Sequence, residues 1–151
     1  MRELEIRVKC LPHFEGLNLP RYMSQGASGI DLVAAIQDPI TLAPLDRVLV
    51  PTGVSVELPV GTEAQIRPRS GLANKHGITL LNTPGTIDSD YRGEIQVIVI
   101  NLGKENFEIT RGMRIAQMVI AEVVKANLIV ADNLDATHRG SGGFGHTGYH
   151  Q

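Results

Sequence analysis

Hydrophobic and charged residues alternate at the start of the chain, where Leu4, Ile6, Val8 and Cys10 interleave with Glu5, Arg7 and Lys9. That period of two predicts a half-buried strand. Periodicity is lost between Pro12 and Pro20, which reads as a loop leading through Tyr22 to Gly26-Ala27-Ser28-Gly29, and a second strand is predicted over residues 30–35. Val48-Leu49-Val50 and Val54-Ser55-Val56-Glu57-Leu58 follow as strands on either side of Pro51-Thr52-Gly53, and Pro59-Val60-Gly61 turns the chain into a further strand over 63–67. One short helix is predicted: Ser70 can cap a turn through Leu72-Ala73-Asn74-Lys75-His76, which Gly77 ends. Strands resume over 78–81, 94–100 and 114–120. Apolar character is continuous over 97–100 and 118–121, so these strands are expected to be covered on both faces, a hint of burial between subunits. Short strands punctuated by Pro and Gly predict a β-sandwich or barrel.

The pattern changes after Asp135, where Arg139-Gly140-Ser141-Gly142-Gly143-Phe144-Gly145-His146-Thr147-Gly148 is too rich in glycine for a regular element. It predicts a mobile arm over 136–151 on one β domain that spans 1–151, with neither an internal repeat nor a second domain. The core must be aliphatic, because the chain has no Trp and only three Phe and three Tyr. Fourteen basic residues against 16 acidic leave a net charge of -2, which speaks against bulk electrostatic binding to nucleic acid. The single cysteine, Cys10, has no internal partner for a disulfide, and an intracellular, cytoplasmic setting is the default expectation. No apolar run approaches the roughly 20 residues that span a bilayer, so neither an anchor nor a membrane partner is expected.

Four stretches could carry chemistry. Residues 82–93 place an amide, two carboxylates and a phenol (Asn82, Asp88, Asp90, Tyr91) among turn-forming Pro84, Gly85 and Gly93, directly before a strand. Taken alone, this is as readily a solvated turn. Arg69 and Ser70 stand at the start of the predicted helix, where free N–H groups favour an anion, although an ordinary cap has the same composition. Gln117 lies in an apolar strand, and a buried amide needs partners in the core or in a ligand. In the tail, arginine suits phosphate and Phe144 suits a planar ring, while the glycines allow close wrapping. Asp31 is flanked by Ile30 and Leu32 and faces away from both. Asp88 and Asp90 do not have the regular spacing of a metal cage, and the five histidines lack zinc spacing.

Five segments, in order and over nearly the whole chain, resemble the motifs of the homotrimeric deoxyuridine triphosphatases (dUTPases): residues 27–32 (Ala-Ser-Gly-Ile-Asp-Leu), 68–73 (Pro-Arg-Ser-Gly-Leu-Ala), 85–93 (Gly-Thr-Ile-Asp-Ser-Asp-Tyr-Arg-Gly), 114–118 (Arg-Ile-Ala-Gln-Met) and 139–145 (Arg-Gly-Ser-Gly-Gly-Phe-Gly). The resemblance implies an all-β, jelly-roll-like barrel with one short helix and a flexible Gly-rich C-terminal arm. It further implies a homotrimer whose three active sites are each built from all three subunits, and Mg²⁺-dependent hydrolysis of dUTP to dUMP and pyrophosphate. By the same resemblance Asp88 orients and deprotonates the attacking water, a role open to an ionised carboxylate. Asn82 and backbone groups of the hairpin, including Thr86, Ile87 and Gln96, hold uracil and sugar, and Tyr91 presses on the deoxyribose to exclude a 2′-hydroxyl. Arg69, Ser70, Gly71 and Gln117 contact the phosphates, and Asp31 acts through waters near a metal carried mainly by those phosphates, or near an arginine. Arg139 clamps the γ-phosphate, Ser141, Gly145 and Thr147 wrap the triphosphate, and Phe144 stacks over uracil. Two positions depart from the pattern: Ser28, where Ala is frequent, and His146, where a hydroxyl residue is usual and which is left out of the phosphate contacts. A dCTP deaminase of the same fold and a catalytically silent nucleotide-binding relative are the competing readings.

Overall fold

The short strands foreshadowed by the Pro and Gly punctuation surround a single aliphatic core in the computed structural model, which describes residues 3–144. Its elements are β1 (Arg7–Cys10), a 3₁₀ turn (Pro12–Phe14), β2 (Ile30–Val33), β3 (Ile40–Leu42), β4 (Arg47–Pro51), β5 (Val54–Glu57), β6 (Thr62–Arg67), α1 (Ser70–His76), β7 (Ile78–Leu80), β8 (Gly85–Ile87), β9 (Gln96–Asn101), β10 (Phe107–Ile109) and β11 (Arg114–Glu122). They pair, always antiparallel, as β1-β5, β10-β3, β2-β11-β6-β8 and β4-β9-β7. The expected architecture is present, but backbone pairing among the described residues leaves four separate sheets rather than one closed barrel.

Leu32, Val50, Val54, Ile78, Ile95, Val97, Val99, Ile109 and Ile115 are fully buried, the aliphatic filling that a chain without Trp requires. Two polar side chains, Thr52 and Asn101, are fully buried with them. Asn101 Nδ2 donates to the carbonyls of Leu42 (2.9 Å) and Glu105 (2.8 Å), and its Oδ1 accepts from Gly103 N–H (2.8 Å), so the buried amide is fully used.

Several strand ends differ from the sequence reading for local reasons. The first strand starts at Arg7, not Leu4, because it is as long as its partner β5, with Arg7 opposite Glu57. β9 starts at Gln96 because Glu94 and Ile95 are held elsewhere: Ile95 N–H donates to the Val54 carbonyl (2.9 Å). Ser70 is not the helix cap; it is the first helical residue, and the extended residue before it, Arg69, takes the cap position with its carbonyl accepting from Ala73 N–H (3.0 Å). Gly77 does end α1. Its φ of +68° is left-handed, and a Cβ there would lie 2.5 Å from the Gly103 nitrogen. Residues 97–101 alternate buried and half-buried, so the second face of β9 is only partly covered within the chain.

Beyond Glu122 the described chain forms no strand and exposes Val124, Leu128, Ile129, Val130 and Leu134, with Val130 at 99% of its full accessibility. The chain has no helix among its described residues that is long and apolar enough to cross a membrane.

Candidate active site

The polar face of the sheet β2-β11-β6-β8 is set by register. Gln117 of β11 lies opposite Asp31 of β2 on one side and Arg67 of β6 on the other, so all three side chains leave the sheet in the same direction. Farther along, Gln65 of β6 faces Thr86 of β8. The opposite face carries Leu32, Ala64, Ile66 and Ala116 into the core.

Asp31 is the hub of this face. Its Oδ1 meets Arg69 Nε at 3.1 Å and its Oδ2 meets Arg114 Nη1 at 3.1 Å, while Arg69 Nη1 donates to the Arg114 carbonyl at 3.3 Å. The Asp31 side chain is only 17% exposed, and two guanidiniums satisfy both of its oxygens. The carboxylate is thereby neutralised and the two arginines are fixed side by side, which leaves their remaining N–H groups for an anion. Arg114 is absent from the residues singled out in the sequence. A β-bulge between Arg114 and Ala116 is the cause: Ile115 and Ala116 are both buried, so the alternation slips by one and Arg114 emerges on the Gln117 side. The continuous apolar run over 118–121 masks this slip, so the sequence carries no clear signal of it.

Gln117 Nε2 donates to the Pro68 carbonyl (2.9 Å), which draws the amide to the entry of α1 beside Arg69 and the exposed Ser70 and Gly71. Gly29 makes room for it. A Cβ at Gly29 would collide with Gln117 Oε1 and sit 3.2 Å from its Cδ.

The second group is the segment between β8 and β9. Asn82 Nδ2 lies against Gly85, at 3.4 Å from where a Cβ would be, and the Thr83-Pro84 peptide is cis. Ile87 is half-buried and Thr86 exposed, as expected for neighbours on a strand. Tyr91 N–H donates to the Asp88 carbonyl (3.1 Å), closing a turn that leaves the Asp88 side chain in solvent. Arg92 Nη1 donates to the carbonyls of Ser89 (2.7 Å) and Tyr91 (3.0 Å) and stiffens that turn. Tyr91 lies over Gly93, with Cζ 2.5 Å from a would-be Cβ, and its hydroxyl donates to the Glu94 carbonyl (3.0 Å). Gln96 is exposed at the start of β9.

The β6-β8 backbone ladder joins the two groups, but no side-chain hydrogen bond or ion pair does so among the described residues. No such side-chain bond reaches the third stretch either. Arg139 Nε donates to the Gly142 carbonyl (2.8 Å) and Gly140 N–H to the Thr137 carbonyl (3.1 Å), so the bonds of this segment stay within its own turn. Ser141 and Phe144 are exposed there, and Gly145 and Thr147 lie outside the described residues. The residues expected to make one site therefore fall into three groups with no side-chain bonds between them among the described residues. For Mg²⁺, Asp31 does not fit as a direct ligand, since both of its oxygens already face guanidinium groups; the described residues present no cluster of three or more His, Cys, Asp or Glu that could hold a metal.

Comparison with known proteins identifies the family. The profile of the dUTPase family matches residues 16–148. A deoxyuridine 5'-triphosphate nucleotidohydrolase of Rhizobium meliloti (strain 1021) is 60% identical over 140 residues, covering 91% of this chain and 88% of its own. The protein of the same description from Beijerinckia indica subsp. indica is 59% identical over 150 residues, covering 98% and 94%. Among solved structures, a Staphylococcus bacteriophage 80alpha dUTPase variant with dUpNHpp superposes at a TM-score of 0.86 with 22% identity, over 96% of this chain and 99% of that one. A dUTPase variant from phage phi11 of S. aureus, described as coordinating a structural Mg(II) ion, superposes at 0.77 with 20% identity over 86% and 98%. The two phage proteins share the jelly-roll-like β fold, and the near-full-length match in sequence goes further: this chain belongs to the dUTPase family.

Proposed function

We propose that the chain hydrolyses dUTP to dUMP and pyrophosphate by attack of water at the α-phosphorus, removing dUTP from the DNA precursor pool and supplying dUMP for thymidylate synthesis in the cytoplasm. The observation that carries this reading is the Asp31–Arg69–Arg114 cluster beside Gln117. It is a rigid, cation-rich edge at the entry of α1, suited to a polyphosphate. Arg69, Ser70, Gly71 and Gln117 contact the phosphates there, and Asp31 acts by holding Arg69 in place. Asp88, exposed on a stiffened turn, orients the attacking water and takes its proton. Asn82 and the backbone at Thr86, Ile87 and Gln96 read the base, and Tyr91 stands against the sugar. Mg²⁺ held by the substrate phosphates would neutralise charge there; no protein cage is assigned to it.

The three parts meet through a homotrimer. One chain provides the Arg69 edge, a second the Asp88 turn, and a third the arm over 136–151 of the single domain 1–151, with Arg139 on the γ-phosphate, Phe144 over uracil and Ser141, Gly145 and Thr147 around the triphosphate. Support comes from the lack of side-chain bonds between the groups within one chain and from the exposed apolar run that leads into the arm, Val124 (93%), Leu128 (92%) and Val130 (99%), which no isolated chain covers.

The deaminase alternative needs a glutamate at the base. The glutamate of this segment, Glu94, has its Oε1 committed to Gly53 N–H and His13 instead. One assay decides: incubate the protein with Mg²⁺ and each deoxynucleoside triphosphate and follow pyrophosphate and ammonia together. Pyrophosphate from dUTP alone is the expected result. Ammonia from dCTP, or no product from any substrate, would refute the proposal.

A further inference from the structure

Glu94 has no role in the base, sugar, water or phosphate contacts proposed above, yet the segment carrying Asp88 and Tyr91 is fastened through it. Its side chain is 17% exposed, and one oxygen, Oε1, accepts from Gly53 N–H (2.7 Å) and from His13 Nε2 (2.7 Å). Its main-chain carbonyl accepts from the Tyr91 hydroxyl (3.0 Å), which is the hydrogen bond the phenol makes among the described residues. The next residue, Ile95, is fully buried; its carbonyl takes the Thr52 hydroxyl (2.6 Å) and its N–H reaches the Val54 carbonyl (2.9 Å). Residues 94 and 95 are thus clamped to the turn between β4 and β5 by side chain and main chain together.

Both anchors are themselves immobilised. Gly53 has φ +71°, and a Cβ there would lie 2.9 Å from Phe14 Cβ and 3.0 Å from Ala35 Cβ, so this turn is packed tightly against the 3₁₀ turn. The 3₁₀ turn is held from its far side by Arg111, whose Nη2 donates to the carbonyls of His13 (3.0 Å) and Glu15 (2.7 Å) and whose Nη1 donates to that of Ile36 (3.0 Å). On the other side of Glu94 stands Gly93, which offers no Cβ to restrict rotation of the 93–94 peptide. The fastening of the Glu94 side chain acts together with Ile95 N–H, which shares a peptide plane with the Glu94 carbonyl, to fix the group to which Tyr91 is tied, and Tyr91, 44% exposed, has open solvent as its alternative.

We infer that Glu94, braced by His13 and Gly53, is a positioning residue for sugar selection: it holds the Tyr91 ring over Gly93, in the place where a ribose 2′-hydroxyl would have to go. This inference rests on the proposed reading of Tyr91 as the wall against the sugar. It assigns to the N-terminal 3₁₀ turn a part in discriminating deoxyribose from ribose, through a carboxylate that touches neither.

The test compares kcat and KM for dUTP and UTP in the full-length wild type, Glu94→Ala, Glu94→Gln, His13→Ala and Tyr91→Ala. Glu94→Ala is expected to lower the dUTP to UTP ratio of kcat/KM about tenfold or more, with dUTP kcat held within about threefold, because water and phosphates are handled elsewhere. Glu94→Gln is expected to keep the ratio, since its amide oxygen still accepts from Gly53 N–H and His13. His13→Ala removes one of the two donors and should lower the ratio by a smaller factor, and it serves as the test if Glu94→Ala does not fold. A ratio unchanged in Glu94→Ala or His13→Ala, while Tyr91→Ala collapses it, overturns the positioning role and leaves the Tyr91 reading standing. A ratio unchanged in Tyr91→Ala overturns both.

Discussion

Replacing Gly29 with alanine should separate binding from stability in a way that few substitutions can. The backbone at Gly29 is not left-handed, so alanine meets no conformational penalty, and the entire effect falls on Gln117. The new Cβ would strike Gln117 Oε1 and crowd Cδ (3.2 Å) and Cβ (3.3 Å), so the amide must swing out and give up its bond to the Pro68 carbonyl (2.9 Å). Losing that neutral hydrogen bond costs about 0.5–1.5 kcal/mol. Reduced freedom of the unfolded chain returns about 0.4–1 kcal/mol. The net change in stability is then at most about 1 kcal/mol, a fall in Tm of no more than about 2–4 °C for a chain of this size. The contact from Gln117 to a charged phosphate is worth more, about 1.5–3 kcal/mol. KM for dUTP should therefore rise by about ten- to a hundredfold. Pyrophosphate release under steady-state conditions, alongside a thermal scan, measures both quantities. Combined with Gln117→Ala, the Gly29→Ala change should add almost nothing to KM, because its target is gone. An unchanged KM in Gly29→Ala, or a double variant much worse than Gln117→Ala, would refute the argument.

Three further outcomes are expected. Asp88→Asn should bind a non-hydrolysable dUTP analogue normally but lose about a hundredfold or more in turnover, since an amide accepts no proton; near-normal pyrophosphate release would remove Asp88 from the mechanism. Deleting residues 139–151 should leave the oligomer intact by light scattering while suppressing hydrolysis, because the hydrogen bonds of its described part, residues 139–144, run within their own turn; failure to assemble would make the arm structural. Asn101→Ala should lower the stability to urea by about 2–4 kcal/mol, as it strands two carbonyls and an N–H around a fully buried position, and a loss below about 0.5 kcal/mol would contradict that account.

What could be read from the sequence was whatever is settled within a few residues. The strand at Arg7 to Cys10 and the end of α1 at Gly77 follow from local pattern and turn chemistry, although β1 is exposed on both faces rather than half-buried, since no other element among the described residues covers Val8 or Cys10. β3 and β10 were not anticipated, because three residues hold less than two periods of alternation and each strand exists by pairing with the other. In the candidate site, Asp31, Arg69 and Gln117 were legible as polar residues in unusual company, yet their convergence depends on pairing β11 with both β2 and β6. Arg114 was hidden, since strict alternation sends it and Gln117 to opposite faces. Glu94 was hidden too, read as the start of a strand when its side chain serves a turn some forty residues earlier, a distance no local pattern spans.

The bulge in β11 also limits how this segment can change in length. Surface loops absorb insertions and deletions readily, but here the count of residues between Arg114 and Gln117 acts as a reading frame. Removing Ile115 takes the bulge with it, so Arg114, Ala116 and Gln117 alternate plainly and Arg114 stays opposite Val33 on the Asp31 side, whereas one residue added with the bulge kept turns Arg114 toward the interior. Natural variation should accordingly be free in what fills the buried pair but should couple length to shape: a segment shorter by one comes without the bulge, and one lengthened by one that keeps it marks lost activity.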